Sequence, residues 1–322
     1  MLKWLVAGIG DITSKRAIPA ILSEPRSVLY AVLTRNPEKA AAYPGAKVYT
    51  KIEDAMADPQ IDAVYVGLPV VMHAPVTLAA LAAGKHVLCE KPVGMNYAQA
   101  RSLVDAANAA GLRFGVAYYR RMYPKLRRAA ELLAQGVIGR PVLAEANSHS
   151  WFAEVYTDRT WFLDPAMAGG GPLYDIASHR IDAFNFLFGN PVRVCGQIAN
   201  VVKSAAVEDS ATLMIEYEQG TRGVIDVRWH SRIVRDDFRI IGTDGAMELS
   251  PLNGPDLIYP GGHEVLPAPA NLQYPCVENF VSAVLDGAPL ASSGASAIVT
   301  DWVTEQVMAM NRHGKYRYHV RS

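Results

Sequence analysis

Leu2-Lys3-Trp4-Leu5-Val6-Ala7-Gly8-Ile9-Gly10-Asp11-Ile12-Thr13 is the stretch from which the fold is read. A short apolar run ends in two glycines, and behind it Arg16-Ala17-Ile18-Pro19-Ala20-Ile21-Leu22 carries apolar residues at helical spacing. The order is strand, tight turn, helix. Glycines permit such a turn and let backbone N–H groups approach a pyrophosphate at the helix N-terminus. Gly8, Gly10, Asp11 and Ile12 are therefore the candidate phosphate contacts. Thr13 stands where the usual pattern has a third glycine, which is expected to widen the helix–strand spacing slightly. A single turn of this kind also fits an ordinary strand-to-helix connection; its place in a repeating series gives it weight.

The series continues with a strand over 28–33, after which Asn36-Pro37-Glu38-Lys39 reads as an N-cap, a first-turn proline and an acid, predicting a second helix. Ala63–Val66, His86–Cys89 and 113–117 read as further strands. They are separated by helices over 75–83 and 99–110, stopped at Gly84 and Gly111. Alternating strands and helices imply a parallel sheet covered on both faces. After Tyr119 the rhythm changes to one helix over 124–135 and then strands over 141–150, 192–203, 208–218, 221–230 and 236–249, punctuated by Gln219-Gly220 and Asp244-Gly245. Helices over 275–286 and 296–311 close the chain. The expected fold is α/β, with a dinucleotide-binding domain at 1–119 and an α+β domain at 120–322.

The 322 residues are half hydrophobic, enough for two sizeable cores. Lys plus Arg and Asp plus Glu are 31 each, so no global field steers the chain to nucleic acid or an anionic membrane. Cys89, Cys195 and Cys276 are odd in number, far apart and without a CxxC pair, which argues against a disulfide framework or zinc site and for a reducing compartment. The first strand begins at Leu2 or Lys3 without a basic or apolar leader, and no apolar run reaches membrane-spanning length, so the expected location is cytoplasmic.

Beyond the second strand, an acidic residue would accept hydrogen bonds from ribose hydroxyls; here the strand ends in Thr34-Arg35. Arginine at this place suits a 2′-phosphate, and Lys39, with Lys15 or Arg16, adds positive potential. NADP(H) is therefore favoured, with NAD(H) the alternative in which Arg35 is a solvated turn residue. Leu68, Pro69 and His73 follow the Ala63–Val66 strand and are expected along the cofactor at the sheet's carboxyl edge, His73 chiefly packing or capping the next helix.

Lys91 emerges just past the His86–Cys89 strand with Glu90 as a nearby anion, and Lys91-Pro92 is a candidate cis peptide. Far downstream, Gly169-Gly170-Gly171-Pro172 allows close backbone approach and then a helix start, predicting a helix over 173–188. Asp175, His179 and Asp182 fall on one stripe of that helix, whose remaining faces are apolar. A histidine can exchange a proton with a substrate oxygen, and a carboxylate one turn away can hold its tautomer. Two carboxylates and a histidine could instead serve a divalent ion, though no further ligand set lies nearby in sequence and the expectation is no metal. A buried His–Asp bond with a purely structural role is the third reading.

Taken together, Gly8-Ile9-Gly10, the run from Ala82 to Pro92 containing Glu90-Lys91-Pro92, Trp161, and Gly169 through Asp182 resemble the Gfo/Idh/MocA family, over essentially the whole chain. The resemblance implies a Rossmann domain followed by an open-faced, mostly antiparallel sheet, usually buried by assembly into homodimers or homotetramers. It also implies that Lys91 orients and polarises a substrate oxygen, that His179 shuttles a proton, and that Asp175 positions His179 or a substrate hydroxyl. Glu90 and Lys91 would also border the cofactor, and Tyr119, Arg121 and Trp161 would line the substrate pocket. Three departures stand out: Thr13 for glycine, Leu68-Pro69-Val70 where Thr-Pro-Asn is frequent, and Phe162 where arginine often follows the tryptophan. The expected function is an NADP(H)-preferring oxidoreductase acting on a sugar, cyclic polyol or related small carbonyl compound. Cofactor-assisted glycoside cleavage and a non-catalytic dinucleotide-sensing regulator are the alternatives.

Overall fold

The computed structural model describes residues 1–152, 160–202 and 205–311. The chain forms two compact units, one of Met1–Tyr123 with Ala268–Ile298 and one of Pro124–Pro267 with the residues from Val299 onward. The division expected at 119/120 thus moves to Tyr123/Pro124, and a return segment near the C-terminus joins the first unit.

In the first unit, β1 (Leu2–Ala7), β2 (Ser27–Leu33), β3 (Lys47–Tyr49), β4 (Ala63–Val66), β5 (His86–Cys89) and β6 (Phe114–Val116) form one parallel sheet in the order β3-β2-β1-β4-β5-β6. The order reverses direction between β1 and β4, the switch point where open α/β sheets bind ligands at their carboxyl edge. The four residues of β4 are all buried, as befits a central strand covered on both faces. Helices His73–Ala82 and Tyr97–Ala110 pack on one face. On the other lie Ile18–Ser23 and the return helix Tyr274–Leu285, whose Val277, Phe280 and Val281 join Trp4, Val6, Val32 and Tyr65 in one core. Burying side chains of this size contributes roughly 1.5–3 kcal/mol each. The return segment also pairs with the edge strand, Val116 N–H donating to Ser292 O at 2.9 Å.

Two local expectations change. Asn36 does cap, its side chain accepting from Glu38 N–H at 3.0 Å, but it opens a single tight 3₁₀ stretch, Pro37–Ala42, in place of a helix. The helix after the glycine turn begins as a widened π-type turn, Thr13–Ala17, before narrowing to α at Ile18–Ser23.

The second unit holds an eight-stranded sheet in the order β14-β13-β12-β11-β7-β10-β9-β8. Its strands are β7 (Pro141–Trp151), β8 (Pro191–Ala199), β9 (Ser210–Tyr217), β10 (Arg222–Arg228), β11 (His230–Gly242), β12 (Ala246–Glu248), β13 (Asp256–Tyr259) and β14 (Gly262–Val265). All neighbours are antiparallel except β7 and β10. The strand expected over 236–249 is a hairpin, β11 and β12 turning at Asp244-Gly245, and part of the stretch expected over 192–203 lies outside the described residues. Alternation along the strands buries Ala144, Ala146, Leu213, Ile215, Ile225 and Phe238 on one face. Helix Ser178–Phe188 lies on that face, Phe184 meeting Phe238 at 5.1 Å between ring centres. The opposite face is polar: Asp226 accepts from Arg228 Nε at 2.7 Å and Thr212 Oγ1 at 2.5 Å, and pairs with His149 Nε2 at 2.7 Å. Among the described residues no helix is long and apolar enough to cross a membrane.

Candidate active site

The nucleotide end is built from the carboxyl ends of β1, β2 and β4. Thr13, fully buried, folds its hydroxyl back onto the glycine turn, accepting from Gly10 N–H at 2.8 Å and donating to Gly10 O at 3.0 Å. Its methyl fits because the residue opposite is Gly67, where a Cβ would lie 2.2 Å from Thr13 Cγ2. The substitution expected to widen the spacing is accommodated by a missing side chain across the crevice.

Past β2, Thr34 Oγ1 accepts from Asn36 N–H at 3.1 Å, forming a short turn that leaves Arg35 exposed. Among the described residues Arg35 has no ion pair or hydrogen bond. Lys39 reaches from the next turn toward Ile9 O at 3.5 Å, so a second cation stands beside the glycine turn. A glycine turn with backbone N–H groups at the start of a helix, and two cations beyond β2, fit an adenine dinucleotide. His73 is buried and bridges two loops, Nδ1 lying 2.8 Å from Pro92 O and Nε2 2.8 Å from Leu68 O. Burial holds its pKa below the ordinary value against those two carbonyls, so His73 ties the Leu68 loop to the Lys91-Pro92 loop.

At the reacting end, Lys91 follows β5, is half-buried, and is joined to Pro92 by a cis peptide. Glu90 beside it is buried: Tyr65 Oη donates to Glu90 Oε1 at 2.6 Å and Gln273 Nε2 to the same oxygen at 2.7 Å. Gln273 escapes a reading of the sequence because nothing in its local pattern distinguishes it; only the return of 268–298 to the first unit brings it under β4 and β5. Tyr119 is sandwiched by cations, Arg120 and Arg16 lying 5.0 and 5.9 Å from its ring centre. Arg121, expected at substrate, donates to Ser296 Oγ at 2.7 Å, Ser296 O at 3.2 Å and Ala291 O at 3.4 Å, bracing the return segment.

In the second unit, Asp175 lies in a widened π-type turn, Leu173–Ala177, and His179 in the α-helix Ser178–Phe188 that continues it. Such single wide turns recur at functional sites because they rotate side chains relative to the regular helix. The glycines before it carry the expected close approach: at Gly171 a Cβ would lie 2.0 Å from Glu208 O. Glu208 Oε1 also accepts the N–H groups of Gly171 at 2.8 Å and Leu173 at 3.1 Å, two of the donors that a helix start leaves over. Asp182 is fully buried beside Tyr217, so this stripe runs from half-buried Asp175 into the core. Trp161 stacks on Phe162 at 4.1 Å, and Phe162 meets Trp229 edge-on. Among the described residues no group of three or more His, Cys, Asp or Glu side chains could hold a metal ion.

A parallel sheet with a glycine turn at its switch point, carrying a lysine past its fifth strand, is the frame of a nicotinamide-dependent oxidoreductase. Residues 2–118 match the model of the oxidoreductase family with NAD-binding Rossmann fold, and residues 126–248 match the GFO/IDH/MocA C-terminal domain. The chain belongs to the Gfo/Idh/MocA family of NAD(P)-dependent oxidoreductases. It is 30% identical to 1,5-anhydro-D-fructose reductase of Ensifer adhaerens over 88% of each chain. It is 28% identical to trans-1,2-dihydrobenzene-1,2-diol dehydrogenase of Bos taurus, over 83% of this chain and 80% of that one. The fold is that of aldose-aldose oxidoreductase from Caulobacter crescentus, with a TM-score of 0.87 at 23% identity over 97% of this chain and 98% of that one.

Proposed function

We propose that this oxidoreductase prefers NADP(H) and transfers a hydride to or from a sugar, cyclic polyol or related small carbonyl compound. The observation that carries the cofactor preference is the exposed Arg35 beyond β2, with Lys39 beside the glycine turn and no acidic residue at the strand end. A ribose 2′-phosphate pairs with both cations, whereas a bare 2′-hydroxyl has no carboxylate to bind. The substrate class rests on the chemistry of the site residues together with the similarity to 1,5-anhydro-D-fructose reductase.

The nicotinamide supplies or accepts the hydride at its C4. Lys91 donates a hydrogen bond to the substrate oxygen, polarising the carbonyl in reduction and holding the hydroxyl in oxidation. His179 gives that oxygen its proton or takes it away, and Asp175 fixes the histidine's tautomer or an adjacent substrate hydroxyl. Tyr119 and Trp161 contribute apolar area with a polar tip, suited to sugar rings. The polar face of β7 and β10 is the surface on which a second copy of the chain would pack, giving a homodimer or homotetramer; light scattering on the purified protein tests this.

The test of the cofactor reading is fluorescence titration with NADPH and NADH on the wild type and Arg35→Ala. NADPH binding at least about tenfold tighter, erased by the substitution, is the expected result, equivalent to about 1.4 kcal/mol. Equal affinities, or a preference that survives the substitution, would overturn it. A panel of sugar carbonyls including 1,5-anhydro-D-fructose, monitored by NADPH oxidation, tests the substrate class.

A further inference from the structure

The hydrogen bonds around Glu90 read its charge. Oε1 receives Tyr65 Oη at 2.6 Å and Gln273 Nε2 at 2.7 Å, and Oε2 faces the Lys91 backbone N–H at 3.4 Å. Gln273 Nε2 spends its other N–H on Tyr65 Oη at 2.6 Å. A proton on Oε1 would confront two donors, and one on Oε2 would confront the Lys91 N–H. The atom that could accept such a proton if the amide turned over, Gln273 Oε1, is buried and meets no donor. The arrangement suits a carboxylate and leaves a neutral acid without an acceptor.

Burial pushes the Glu90 carboxyl up, while the Tyr65 hydrogen bond and the charges of Lys91 and Arg16 pull it down. A carboxylate in such a place is costly unless donors and a cation compensate it. The groups facing this cluster are Tyr65 from β4, Lys91 from its own loop, Arg16 from the turn Thr13–Ala17, Cys276 from the return helix, and His73, which feels the charge of Lys91. Gln273 supplies two N–H groups without adding a charge, which neither a leucine nor a glutamate could do.

We infer that Tyr65 and Gln273 are positioning residues that hold Glu90 as a buried carboxylate beside Lys91, and that this charge keeps the Lys91 amine an ammonium ready for the substrate oxygen. The inference rests on the assignment of Lys91 to the reacting end. It gives the return segment a part in the chemistry: the residue that fixes the charge at Lys91 arrives from 183 positions beyond Glu90.

The experiment is competitive acetylation of the full-length protein with limiting acetic anhydride at pH 8, reading Lys91 against Lys15 and Lys39 by peptide mass spectrometry. Only the free amine reacts, so loss of the counter-charge speeds labelling. Glu90→Gln, which keeps the shape and removes the charge, is expected to raise the relative rate at Lys91 about threefold or more. Tyr65→Phe and Gln273→Leu are expected to give smaller rises in the same direction. An unchanged rate in Glu90→Gln with the melting temperature retained would overturn the inference, as would a rise shared equally by Lys15 and Lys39, which reports a loosened fold. Because the readout uses neither cofactor nor substrate, it is independent of the functional reading: a chain inactive on every carbonyl tested can still show the Lys91 shift, and an active one can lack it.

Discussion

Glu208 Oε1 accepts the backbone N–H of Gly171 at 2.8 Å, so a side chain just before β9 seats the start of the helix that carries Asp175 and His179. Glu208→Ala leaves the Gly171 and Leu173 N–H groups buried and unmatched, at a cost of about 1–3 kcal/mol. Burial raises the Glu208 pKa. A carboxyl raised in the folded state contributes stability that is full below its unfolded pKa and lost as pH rises through the folded value. Thermal unfolding at pH 5 and pH 8 should therefore show the wild type losing ground to Glu208→Gln as pH is raised; a constant gap would refute the assignment.

Gly67 and Thr13 are expected to behave as one unit. Gly67→Ala puts a methyl within 2.2 Å of Thr13 Cγ2, and overpacking of this kind costs about 1–3 kcal/mol. In the background of Thr13→Gly, the alanine should be nearly free of penalty. A denaturant double-mutant cycle measures this; strict additivity would mean that the two residues do not share the space.

Lys125 is buried and donates to Leu249 O at 2.8 Å and Pro251 O at 2.7 Å, with burial lowering its pKa to about 8 from the ordinary 10.5. The folded state binds this proton less well than the unfolded chain, so the lysine's contribution is full above its unfolded pKa and lost as pH falls through the folded one. Between pH 8 and 10.5 the wild type should gain stability relative to Lys125→Met, as read from urea midpoints. Parallel pH profiles would contradict the depressed pKa.

Lys91→Met and His179→Asn are expected to lower kcat by about 10²–10⁴-fold each, the range of positioned proton transfer. NADPH affinity should remain within a few-fold in both, since neither is assigned to the adenosine half. The double variant should lose much less than the product of the two effects if both act on one oxygen. Undiminished turnover in Lys91→Met would remove it from the reaction.

The parts of this architecture legible in the sequence are those written in local pattern. The run from Leu2 to Gly10, the strand ending at Cys89 and the glycines before Leu173 each declare themselves through short-range periodicity and turn chemistry. Lys47–Tyr49 and Ile52–Met56 are too short to show a period, and Asn36-Pro37 carries a helix-start signal that tertiary context stops at one 3₁₀ stretch. The wide turn at Leu173–Ala177 leaves no mark in residue types, because π and α turns accept the same side chains. Gln273 is invisible for a different reason: its meaning lies wholly in partners far away in sequence, Tyr65 and Glu90.

The return segment also sets an order of events for the nascent chain. Trp4 packs against Phe280 at 5.2 Å between ring centres, and Val116 pairs with Ser292, so the unit begun first at the ribosome is finished almost last. Until those residues emerge, one face of the nucleotide-binding sheet stands uncovered while the whole of the second unit's sheet is being synthesised. A fragment ending at Tyr123 is consequently half of a core rather than a small autonomous domain, and separate expression of the cofactor-binding unit calls for residues 268–298 to be grafted back onto it.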